Sequence, residues 1–342
     1  MRLYDENGYF DFPAARKRGY PFNIATGPRG TGKTFGALKD LTETRTEFIF
    51  MRTTKTQLDE IMTVEMSPYR KLNKQLGWHV EADKITKNSG AFWWREQRGE
   101  DLVRVGDPLG IALALSTVAN IRGFGSTADV LIYDEFIREE HERPLKRQAN
   151  AFFNAYETIN RNRELEGFDP LQAFLFSNSN TLDNDIFIEL RIVDVVAKMT
   201  RTGKTWWTDE RRGLCVMLLN DSPISARKRE TALYRLTAGT DYSAMAIDNQ
   251  WAFDESDGTA SHPLIEYRPI VTVGMITIYR HKGDGPVYVS THRTGSPPVF
   301  GAGPSELSRF RRAYGWIWAE YMARNIDFES RQAEILLTKY LR

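Results

Sequence analysis

The stretch GPRGTGKT, residues 27–34, fits the pattern G-x-x-x-x-G-K-[ST]. Its glycines let successive backbone N–H groups turn inward on one anion, a conformation that side chains obstruct. Before it, PFNIAT at 21–26 has the apolar character of a strand; after it, TFGALKDLTETR at 34–45 reads as a helix. A helix that starts near Lys33 adds its positive end to the same place. Gly27, Pro28, Arg29, Gly30, Thr31, Gly32, Lys33 and Thr34 are therefore the expected ATP-binding residues, with Lys33 reaching the outer phosphates and the Thr34 hydroxyl on Mg²⁺. Arg29, inside the loop, is placed to touch either the nucleotide or Glu135.

The tripeptide Gly-Lys-Thr returns at 203–205, in MTRTGKTWW. The position five before Gly203 is Lys198 rather than glycine, and WWTDERR after it does not start a helix. This second copy reads as a turn.

A phosphate loop alone only binds. Hydrolysis needs acids at the end of a neighbouring buried strand, and VLIYDEF at 130–136 supplies four apolar residues followed by Asp134 and Glu135. Asp134 is expected to hold Mg²⁺, and Glu135 to act as general base on the attacking water. FLFSNSN at 174–180 ends another buried strand, with Ser177 and Asn178 placed to touch the terminal phosphate or that water. Arg161 and Arg163, at the end of a helical run, and Arg122, in a glycine-flanked loop, are candidates to stabilise transition-state charge from a neighbouring subunit.

Bulk properties narrow the classes. With 342 residues, 41% hydrophobic and 27% charged, the chain has the composition of a globular protein of about two domains. A net charge of +1 provides no global attraction to nucleic acid, so any such contact must be local. One cysteine, Cys215, excludes a disulfide framework and a cysteine-based zinc site. The first residues lack the apolar core of a signal peptide, and no run reaches the roughly 18 apolar residues of a membrane span. The expected compartment is the cytosol, with no membrane partner.

Along the chain, strands alternate with helices over the first 220 residues or so, which predicts an α/β class with a mostly parallel sheet. AFWWREQ and DLVRVGD read as a hairpin around Arg98-Gly99, and GIALALST as a separate buried strand. From 222 the pattern changes: a helical segment opens at Ser222-Pro223, an alternating meander follows at 264–292, and two helices, near 304–325 and 328–341, close the chain. The expected organisation is an ATPase domain at 1–221, a helical linker or lid at 222–250 and an α+β domain at 251–342.

Together, GPRGTGKT, LIYDEFIRE, RNRE, FLFSNS and AGTDYSAMAIDNQ resemble, in order and spacing, the genome-packaging ATPases of small short-tailed double-stranded DNA phages. The resemblance implies a homomeric, pentameric ring on the portal vertex of an empty prohead in the host cytoplasm. Double-stranded DNA would be threaded through it during ATP turnover, and a structural packaging RNA is a further partner it allows. It also implies an ASCE-type P-loop domain and a C-terminal domain of ribonuclease-H-like fold. Carried over, its Walker lysine is Lys33, its acid pair Asp134 and Glu135, its trans arginine Arg161, and a second trans residue falls near Arg122. The first C-terminal strands carry no central aspartate, so no nuclease activity is expected. Arg52, Lys55 and residues 84–98 are candidates to grip DNA phosphates, as are Arg280, His281, Lys282, Arg309, Arg311 and Arg312. Two rival classes remain: a replication-type helicase or loader ATPase, and a nucleotide-gated scaffold with little turnover.

Overall fold

The computed structural model describes residues 2–121, 127–139, 142–178, 181–220, 222–240 and 259–342. The chain divides into two units: Met1–Ile186 with Lys198–Ala252, and Phe187–Ala197 with Phe253–Arg342.

The first unit is built on a nine-stranded sheet. Its strands are β1 (Phe22–Thr26), β2 (Phe48–Arg52), β3 (Val80–Thr86), β4 (Ser89–Arg98), β5 (Asp101–Ala114), β6 (Val130–Asp134), β7 (Gln172–Ser177), β8 (Trp206–Asp209) and β9 (Leu214–Leu218). Their order is β3-β4-β5-β2-β6-β7-β1-β9-β8. From β5 to β9 every neighbouring pair is parallel, and antiparallel strands border this block on both sides. The apolar runs explain the arrangement: every residue of β6 and β9 is buried, as a parallel sheet covered on both faces demands. Cys215 lies inside β9, and burial pushes its thiol up to about 11, so it serves as a small apolar residue.

Two expectations change here. DLVRVGD and the first five residues of GIALALST lie on one 14-residue strand, β5, whose first half pairs with β4 and whose second half also pairs with β2, while residues 115–117 turn into a 3-10 helix. A long strand can serve two partners because its exposed half needs only the hairpin, while its apolar half enters the parallel core. The segment after Ser222 is two short helices, Pro223–Arg229 and Ala232–Leu236, rather than one.

The second unit holds a five-stranded sheet, ordered β13-β10-β11-β12-β14. Here β10 is Tyr267–Val273, β11 Ile276–His281, β12 Val287–Ser290, β13 Val299–Phe300 and β14 Ile326–Phe328. The first three form the antiparallel meander read from sequence, and a parallel strand sits at each edge. The run read as a helix over 304–325 breaks at Gly315 into Pro304–Ala313 and Trp316–Met322, and β14 separates them from the final helix, Arg331–Leu341. β10, β11 and β12 contain no acid, and Asp327 on β14 is engaged by His262 Nε2 at 2.7 Å. Among the described residues no group of three or more His, Cys, Asp or Glu could hold a metal ion, and no helix is long and apolar enough to cross a membrane.

Candidate nucleotide site

The site begins where β1 stops. Gly27 N–H donates to Ser177 O (3.2 Å) on β7, and a Cβ at Gly27 would lie 2.5 Å from Leu219 Cβ. Gly32 has φ +85°, immediately before the helix Lys33–Glu43, and a Cβ there would meet Tyr9 at 3.0 Å. Only glycine satisfies both demands without strain. No side chain caps this helix and no acid lies in its first turn, so its positive end stays available to an external anion. By contrast the nearby helix Lys55–Ile61 is closed by a capping box of Thr54 and Gln57.

That helix end opens on a cavity of about 350 Å³ lined by the loop from Arg29 to Phe35, by Tyr9, Lys71 and Gln75, and by Asp134, Glu135, Ser177 and Asn178. Lys33 is 8% exposed, and its ammonium donates to Gly27 O (3.0 Å), Pro28 O (3.2 Å) and Thr31 Oγ1 (3.2 Å). Burial pushes its pKa down to about 7; Asp134 and Glu135 pull it up and Lys228 presses it further down.

Strand β7 lies between β1 and β6, so the loop and the acids come from strands that are not neighbours. They nevertheless meet: Thr34 Oγ1 donates to Asp134 Oδ1 at 2.8 Å. A hydroxyl and a carboxylate side by side are hard oxygen donors of the kind Mg²⁺ takes together with phosphate and water. Glu135 follows the strand in left-handed conformation, φ +54°. Its side chain is 51% exposed, against 11% for Asp134, so the two acids face different surroundings.

Arg52 holds both acids. Its Nη1 lies 3.1 Å from Asp134 Oδ2, and its Nη2 pairs with Glu135. The expectation that Arg52 grips DNA is therefore corrected: parallel pairing of β2 with β6, Met51 beside Tyr133, carries Arg52 to the acids. Composition gives no hint of this contact, because it depends on which strands are adjacent. Lys55 is tied to Asp59. Arg29 lines the cavity but pairs with Glu139, not Glu135. Ser177 is buried, with its hydroxyl bridging the N–H and carbonyl of Ile137 at 3.3 Å, so it clamps the chain just after the acids. Asn178 lines the cavity.

The arginines separate. Arg163 is fixed within its own chain by Ala128 O (2.6 Å) and Asp129 (2.6 Å). Arg161 closes the helix Gln148–Asn160 with φ +46°, is exposed, and does not line the cavity. Arg122 lies outside the described residues. In the second unit most of the cations read as DNA contacts are engaged internally. Arg280 stacks over Trp316 (4.7 Å), Arg309 pairs with Glu306 (2.7 Å), Arg311 donates to Tyr340 O (2.8 Å) and Lys282 to Ile265 O (2.7 Å).

The model of the Podovirus DNA encapsidation protein (Gp16) family matches residues 103–261. This chain is related to the podovirus DNA encapsidation proteins. The DNA packaging protein of Bacillus phage PZA is 28% identical over 139 residues, 40% of this chain and 36% of its own length. That of Bacillus phage phi29 is 27% identical over 125 residues, 36% of this chain and 34% of its own length. The chain thus spans about a third of these curated relatives where it matches them. A solved chain of the Phi-28 gp11 DNA packaging motor superposes with a TM-score of 0.65 at 18% identity, over 98% of both chains, which shows a common fold. The family match starts after the phosphate loop, so the loop and the family signal are independent observations on one chain.

Proposed function

We propose that this protein hydrolyses ATP with Mg²⁺ and uses the cycle to move double-stranded DNA into a preformed prohead, as a homomeric, pentameric ring on the portal vertex inside the host cell. The observation that carries the reading is the Thr34–Asp134 contact, which unites phosphate loop and acid strand at one cavity. The relatives are DNA packaging proteins, which supports the same use.

The loop amides and Lys33 bind the outer phosphates, and Thr34 and Asp134 hold Mg²⁺, which neutralises charge on the phosphates when bound. Glu135 turns from Arg52 to accept a proton from the attacking water, and Asn178 orients that water. Arg161 of one subunit, with Arg122 as a second candidate, completes the site of the next; its exposed position at a helix end supports a role in trans. The second unit is read as a ribonuclease-H-like domain without nuclease chemistry, supported by a meander whose three strands, β10, β11 and β12, carry no acid. A structural RNA between motor and portal belongs to the same reading.

The test uses purified protein, proheads, ATP and linear double-stranded DNA. DNA-stimulated phosphate release together with nuclease-protected DNA in the shell is the expected result. Stimulated release without protection would indicate a helicase or loader, and binding without release a scaffold.

A further inference from the structure

We propose that Lys228 is a second cationic contact for the nucleotide's phosphates, carried by the short helix that follows the sheet, so that this helix senses which nucleotide fills the loop. The inference rests on the ATP reading of the site and adds a residue and a route of coupling to it.

The helix Pro223–Arg229 is anchored beside the phosphate loop at both ends. At its start, Ser222 Oγ caps Ile224 N–H (3.3 Å) and donates to Gly8 O (3.0 Å). Pro223 packs so closely on Gly8 that a Cβ there would lie 2.7 Å away. The segment from Gly8 runs on to Phe10, whose N–H donates to Thr31 O in the loop (2.8 Å). Near the helix's other end, the Lys228 ammonium donates to Arg29 O, and a Cβ on Gly30 would sit 2.7 Å from it.

Two other cations share the place. Arg29 and Lys71 both line the cavity, and Lys71 lies over the Phe35 ring at 5.5 Å. Glu139 takes Arg29, but among the described residues neither Lys71 nor Lys228 forms an ion pair. Lys228 has a lowered pKa, from burial first and then from Lys71 and Arg29. Like charges gathered at a half-buried spot repel each other until a polyanion arrives. A triphosphate relieves this repulsion more than a diphosphate does, because it brings an extra charged group. Lys228 then exchanges a loop carbonyl for phosphate, and the helix that bears it shifts with nucleotide state.

The experiment measures ATP and ADP affinity with Mg²⁺, by displacement of a fluorescent nucleotide, for wild type, Lys228→Gln and Lys228→Arg. Lys228→Gln should lower the ATP-to-ADP affinity ratio by about 10-fold, the scale of one charge-assisted hydrogen bond, and Lys228→Arg should restore most of it. An unchanged ratio in Lys228→Gln overturns the inference. Failure of the wild type to bind either nucleotide would overturn the ATP reading itself. Hydrogen exchange on the wild type needs no variant: residues 222–230 should be better protected with a non-hydrolysable ATP analogue than with ADP. Equal protection also overturns the proposal.

Discussion

Two copies of Gly-Lys-Thr sit in the same unit, and they teach what a motif needs. The first, at 32–34, leaves a buried strand, bends through Gly32 and enters a helix at its positive end. The second, at 203–205, leaves a helix, Val193–Thr202, and enters strand β8. Gly203 is left-handed too, φ +66°, but it ends a helix, and Lys204 N–H closes that helix on Met199 O at 2.9 Å. A helix's C-terminal end carries partial negative charge, the wrong sign for phosphate. Lys33 is buried among loop carbonyls and next to acids, whereas Lys204 is exposed. Three identical residues thus differ in polarity, burial and neighbours, and only the first copy has the electrostatics of an anion site.

Glu135→Gln removes the proposed base, an acid that accompanies the first copy and not the second. ATP binding should survive while turnover falls about 10²- to 10⁴-fold, the usual scale of general-base loss, in a steady-state phosphate-release assay. Normal turnover would end the assignment.

Lys33→Ala should weaken ATP binding by at least about 100-fold, since charge-assisted bonds are worth about 1.5–3 kcal/mol each. Lys204→Ala should leave affinity unchanged in the same titration. Equal losses from both would erase the distinction between the copies.

Protonation also separates Lys33 from an exposed lysine. Because Lys33 is pushed down to about 7 from an ordinary 10.5, a bound polyanion that raises it again makes ATP binding take up a proton above pH 7. Calorimetry in buffers of different ionisation enthalpy should show uptake approaching one proton, absent in Lys33→Met. The sign for folding follows: between about pH 7 and 10.5 the unfolded chain holds the proton that the folded site has lost. The Lys33 contribution to stability therefore improves as pH rises through that window. Urea midpoints for wild type and Lys33→Met should converge toward pH 10.

The smallest effect concerns the glycines. Gly203→Ala, with open space around it, should cost only the left-handed penalty of about 1 kcal/mol in thermal denaturation and leave ATP affinity intact. Gly32→Ala adds a clash with Tyr9 to the same penalty, and should also lose nucleotide.

Much of this site was legible without coordinates because its signals are local. Gly27 to Thr34 carry their own chemistry, and Val130 to Asp134 advertise a buried strand ending in an acid. The meander of β10, β11 and β12 was equally readable from period-two alternation. Other features were out of reach for a definite reason. Arg52 looked like a surface cation because nothing in FIFMR says that β2 will lie beside β6. Arg163 and Arg161 look alike in RNRE, yet one is bound to Asp129 and the other is exposed. Lys228 is far from the loop in sequence, and reaches Arg29 only because β9 pairs with β1 and Ser222 docks on Gly8.

The glycine loop, the acid-tipped strand and the alternation that makes a parallel sheet could be read from the chain alone, because each depends on residues within a few positions of one another. Tertiary structure alone decided that Thr34 meets Asp134 across an intervening strand, that Arg52 bridges both acids and that Lys228 covers the loop. Those contacts are fixed by strand order and register, which arise from burying a whole sheet at once rather than from any single segment.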